Sequence, residues 1–143
     1  MPYEFRGDIA HADIAFNAWN ETLEGLFKDA AEATIKVMVE NVPAVRPTET
    51  VEIALDQTNE EMLLFDFLNE LIFYKDARRL ILLPKEITFG RSEAGCELKA
   101  TLQGEEINTE RHRMNTDVKA VTMLRFSLTQ VQEGWRATVV LDV

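Results

Sequence analysis

Apolar side chains in this chain switch their spacing twice between a period of two and one of about 3.6, then keep to two from residue 77 onward. Tyr3 to Phe5 reads as a short edge strand. Asp13 to Trp19 alternates, with Ile14, Phe16 and Ala18 on one face. Asn20 or Thr22 then caps a helix near residues 22–40, with Leu23, Leu26, Phe27, Ala30, Thr34, Val37 and Met38 at helical spacing and Glu24, Lys28, Glu32 and Lys36 opposite. Val51, Ile53 and Leu55 return to alternation. Thr58 and Glu61 form a T-x-x-E capping box for a second helix near residues 59–75, whose inner stripe is Leu64, Phe67, Leu68, Leu71 and Ile72.

Beyond Asp76 the pattern predicts strands only. Arg79 to Phe89 is broken by Pro84, giving two short strands or one bent edge strand. Glu97 to Leu102 alternates, and the polar stretch from Gly104 to Asn115 reads as a long loop. Asp117 to Gln130 places Val118, Ala120, Thr122, Leu124, Phe126 and Leu128 on one face, Glu133-Gly134 turns, and Trp135, Ala137, Val139 and Leu141 close a hairpin. The order is ββαβα followed by about four strands. Helices segregated to one face of a mixed, mainly antiparallel sheet predict an α+β two-layer sandwich, as one domain over residues 1–143.

Charge narrows the partners. The net charge is −10, but residues 1–72 carry 15 acids against 4 Lys and Arg, while residues 73–143 carry 10 against 11. Nucleic-acid affinity comes largely from basic groups that displace phosphate counterions, so the first half repels RNA and suits a cation or a basic protein surface. The apolar run Leu80–Leu83 is far short of the ~20 residues of a membrane span. The N-terminus lacks the pattern of a signal peptide, and the single cysteine, Cys96, allows no internal disulfide. The expectation is a cytoplasmic protein that does not enter a membrane or bind nucleic acid tightly.

Four clusters carry candidate chemistry. In His11-Ala12-Asp13, Asp13 is a hard oxygen ligand or a solvated turn residue, and spacing alone favours the latter. Asp142 and the carboxylate of Val143 place two anions at a strand end, which repel unless a cation neutralises them, or which simply point into water as most terminal acids do. Arg111-His112-Arg113 sits in the polar loop, where it contacts a partner or simply meets solvent. Lys119 alternates with core residues, so it is solvated or pairs with Glu52 or Asp142. No phosphate-binding glycine loop, dinucleotide fingerprint, C-x-x-C pair or nucleophile elbow is present.

Taken in order, the segments resemble the archease family. They are His11-Ala12-Asp13-Ile14, Leu23-Glu24-Gly25-Leu26-Phe27 with Ala30-Ala31, Leu63-Leu64 through Phe67-Leu68-Asn69-Glu70-Leu71-Ile72, Gly104-Glu105 through Arg111-His112, Thr116-Asp117-Val118-Lys119-Ala120-Val121-Thr122, and Trp135-Arg136-Ala137 with Asp142-Val143. The resemblance implies a non-enzymatic protein cofactor of the GTP-dependent tRNA-splicing RNA ligase. Such a protein promotes guanylylation and multiple turnover of the ligase in tRNA splicing or RNA repair. It also implies a divalent metal, Ca²⁺ above all and otherwise Mg²⁺ or Mn²⁺, held by Asp13, Asp142 and the Val143 carboxylate. Arg111, His112 and Lys119 fall in matching segments and are candidate contacts to the ligase. The chain departs from the family at Met123-Leu124, where many members carry an aromatic residue and a histidine, and in Arg6 to His11. Two other classes compete: a metal-dependent phosphoester hydrolase built on Asp13 and Asp142, and a chaperone-like binding module.

Overall fold

The computed structural model describes residues 3–6 and 13–143, so the expectations for His11 lie outside the described residues. The element order is β1 (Tyr3–Arg6), β2 (Asp13–Asn20), α1 (Leu23–Met38), a short 3-10 turn at Val42–Ala44, β3 (Glu49–Gln57), α2 (Glu60–Arg78), β4 (Leu80–Ser92), β5 (Gly95–Glu106), β6 (Ala120–Val131) and β7 (Gly134–Asp142). The α+β class expected from the pattern holds, with two helices and seven strands among the described residues. The strands divide into two sheets, ordered β1-β2-β7-β6 and β3-β5-β4, and every pairing among them is antiparallel rather than mixed. Each helix packs against strands of both sheets.

Both helices start on side-chain caps. The Thr22 hydroxyl accepts the Gly25 N–H at 3.0 Å. At α2 the cap is Asn59, whose side chain accepts the Met62 N–H at 2.9 Å, and not Thr58 as the T-x-x-E pattern predicts. Asn59 is the stronger capping residue and moves the helix start by one position. Glu61, freed from a capping box, instead accepts the Leu128 N–H of β6 at 3.0 Å.

The core lies where the helices meet the sheets. The Phe27 ring packs 5.5 Å from Phe67 and 4.9 Å, edge-on, from Phe89, with Leu26, Leu64, Leu68, Leu71, Leu98 and Val139 fully buried around them. Full burial of each such side chain contributes roughly 1.5–3 kcal/mol before entropy is counted. On α1, Ala30, Ala31, Ala33 and Ile35 are all buried, which is how a helix shared by two sheets must be built. No described helix is long and apolar enough to cross a membrane.

Two strands depart from plain alternation. β4 is one bent edge strand, with its register shift between Pro84 and Glu86. In β6, Thr122 pairs with Val140 and Ser127 with Thr138, so Met123 to Phe126 face only Val139. The odd number of extra residues exchanges the two faces across the bulge. Val121, Phe126 and Leu128 therefore point inward, whereas Leu124, expected in the core, is 50% exposed beside Met123 at 56%.

Candidate functional site

β2 and β7 run antiparallel in a register that sets Asp13 opposite Asp142, and β7 in turn sets Asp142 opposite Ala120 of β6. Residues directly opposite on antiparallel strands share a face, with Cβ atoms roughly 4.5–5.5 Å apart. Two carboxylates distant in sequence thus meet at one end of the four-stranded sheet, and both are partly exposed. Val143 follows directly and packs its side chain against the core. Among the described residues no group of three or more His, Cys, Asp or Glu side chains comes together. The donors present are therefore two side-chain carboxylates and whatever the main chain adds at Val143. Oxygen donors of this kind fit a hard divalent cation that fills its remaining positions with water, and do not fit Zn²⁺.

The end of β7 is held from the other side by the segment before β6. The Lys119 N–H donates to the Asp142 carbonyl at 2.8 Å. One residue earlier, the Val118 carbonyl accepts a hydrogen bond at 2.9 Å from Nζ of Lys75, in the last turn of α2. That ammonium also donates to Asp117 at 2.6 Å and to Asp76 at 2.5 Å, and the residue is only 6% exposed. Its three N–H groups therefore meet three acceptors. Burial lowers the pKa of the Lys75 ammonium, but the hydrogen bonds and charges of Asp117 and Asp76 outweigh it and the net shift is upward. One residue past the Asp142 pairing, the Asn69 side chain of α2 accepts the Val121 N–H at 3.1 Å.

The Arg111–His112 trio is built differently from a surface contact. His112 is 2% exposed. Its Nδ1 accepts the Asn108 N–H at 3.0 Å, so Nε2 carries the proton and donates to Glu105 at 2.9 Å. Glu105 also accepts from the Arg111 guanidinium and, at 2.7 Å, from the Arg46 N–H. The Arg111 guanidinium beside Glu105 holds its carboxyl down at about 2 against the opposing effect of burial, and the bonds from Arg46 and His112 add to this. His112 thus sits in the interior as a fastener of the 107–119 connection, out of reach of a partner's surface. Arg111 is partly exposed and Lys119 exposed; among the described residues Lys119 makes no ion pair with Glu52, Asp142 or any other acid.

Sequence reasoning missed Lys75 and Asn69. Lys75 had left a signal, a lysine in phase with the apolar stripe of Leu64, Leu68 and Leu71, which a solvated face does not require.

The comparisons with known proteins agree along the whole chain. The archease protein family matches residues 3–143. A protein archease from Methanosarcina mazei is 34% identical over 133 residues, covering 92% of this chain and 90% of that one. One from Methanopyrus kandleri is 32% identical over 144 residues and covers both chains completely. A Methanobacterium thermoautotrophicum protein solved in solution superposes with a TM-score of 0.83 at 29% identity, covering 99% of each chain. The crystal structure of a Thermotoga maritima archease, described as a possible chaperone, shares the fold at a TM-score of 0.63 and 23% identity, covering 98% of each chain. The chain therefore belongs to the archease family.

Proposed function

We propose that this chain is a non-enzymatic activator of a GTP-dependent tRNA-splicing RNA ligase, and that it works with a divalent cation held by Asp13, Asp142 and Val143. The observation that carries the reading is the register of β2 on β7, which sets Asp13 directly across from Asp142 in a chain that belongs to this family throughout its length. Neighbouring carboxylates on rigid strands repel one another unless a cation or proton intervenes. Ca²⁺ tolerates an irregular, partly hydrated oxygen set better than Mg²⁺ does, so it is the preferred ion, with Mg²⁺ or Mn²⁺ as alternatives. The chain's contribution is to bind and orient: it presents a charged strand end to the ligase, while the ligase performs guanylylation and joins a phosphate-bearing RNA end to a hydroxyl-bearing one. Lys119 and Arg111, which keep exposed surface, are candidate contacts; His112 acts only through the connection it fastens. The cytoplasm, where such a ligase meets its RNA, is the compartment this function requires.

The test is guanylylation of the cognate ligase by GTP, with and without this protein. Faster guanylylation and more turnovers per ligase are expected on addition. Phosphoester hydrolysis by the protein alone would instead favour the hydrolase reading.

A further inference from the structure

A charged lysine buried on a helix's apolar stripe carries a desolvation penalty that its partners must repay, and a packed apolar side chain often serves stability as well or better. Lys75 occupies such a position, with Leu71 and Ile72 buried just before it. What it holds is a short, specific stretch: Asp117 and the Val118 carbonyl. Asn69, on the same helix, holds the Val121 N–H. Between these two anchors lie only Lys119, whose N–H bonds the Asp142 carbonyl, and Ala120, whose register partner is Asp142. Asp142 then faces Asp13. One continuous chain of hydrogen bonds and strand pairings therefore runs from α2 to the carboxylate pair.

We propose that Lys75, supported by Asn69, is a positioning residue for the Asp13–Asp142 pair: α2 fixes the start of β6, and β6 fixes where the Asp142 carboxylate stands relative to Asp13. This rests on the cation reading given above. Lys75 does not touch the cation. Its ammonium is fully used by Asp76, Asp117 and Val118, so its effect passes through backbone placement alone. Asp76 and Asp117 remain mostly exposed on their outer sides. Removal of the ammonium therefore leaves these two acids hydrated, while the Val118 carbonyl loses its donor.

The experiment is calorimetric titration of Ca²⁺ into the wild-type protein, Lys75→Met and Asn69→Ala, well below the melting temperature of each. Leu68→Val, a core change on the same helix, serves as the control for simple loss of stability. Lys75→Met is expected to weaken Ca²⁺ affinity about tenfold or more, as loss of a supporting interaction does at other metal sites. Asn69→Ala should weaken it in the same direction, and Leu68→Val should leave it unchanged. The Lys119 and Asp142 amide resonances should shift in Lys75→Met even without Ca²⁺. Should Lys75→Met fail to fold, Asn69→Ala and Asp117→Ala decide the matter by the same readouts. Unchanged affinity in the folded variants overturns the positioning role, as does an equal loss in Leu68→Val. Absence of binding of Ca²⁺, Mg²⁺ and Mn²⁺ alike by the wild-type protein overturns the cation reading itself, a result separable from the first because no variant enters it.

Discussion

Among the described residues, Glu105 is the carboxylate most strongly altered by the fold. Its ordinary pKa is 4.5, and Arg111, Arg46 and His112 bring it down to about 2. A depressed folded-state pKa stabilises the fold at pH values above 4.5, and that stability is lost as the pH falls through the window from 4.5 to about 2. Urea unfolding across this range should show stability declining with acid in the wild-type protein and a visibly flatter decline in Glu105→Gln, which is weaker at neutral pH. Asp13 gives the contrasting case. It is partly exposed at a strand end, so Asp13→Ala should leave the melting temperature nearly unchanged while weakening ligase activation and Ca²⁺ binding. Asp13 was legible in the sequence only through family resemblance, because one acid at a strand head has no distinctive spacing. His112 was legible as a candidate contact, but not as a buried residue. Its partner Glu105 lies at the end of a strand that sequence alternation stops short of, so the polar stretch reads as solvated loop.

Helices were the most readable elements, since their apolar stripes are long and their caps are chemical signals. The exception is the start of α2, where Thr58 and Asn59 both offer capping oxygens. Asn59→Ala should cost about 1 kcal/mol in urea unfolding and Thr58→Ala a few tenths at most. β6 was misread in its middle because the bulge leaves no mark on alternation: Thr122, Leu124 and Phe126 keep a perfect period of two in sequence while the backbone inserts extra residues. The left-handed backbone at Arg125, φ 52°, belongs to that insertion and has no glycine or asparagine to announce it. The structure predicts that Leu124→Asp changes stability by no more than about 0.5 kcal/mol. Val121→Asp, which buries an unpaired charge, should cost several kcal/mol on the same measurement.

Across the whole molecule, the α+β class and the order of elements followed from periodicity, but the division into two sheets did not. Strand partners are chosen by packing against α1 and α2, which is information no single segment carries. The net charge of −10 acts at this scale too. A gel shift at physiological salt should show no firm binding of RNA by this protein alone, and retention of RNA would mean that a local basic surface outweighs that field. The account as a whole turns on whether the Asp13–Asp142 strand end acts on a ligase. Guanylylation of the cognate ligase should be measured with no addition, with the wild-type protein, and with Asp13→Ala and Asp142→Ala, each confirmed folded by its melting curve. The account predicts clear acceleration by the wild-type protein and little by either variant; full activation by both variants, or none by the wild-type protein, would contradict it.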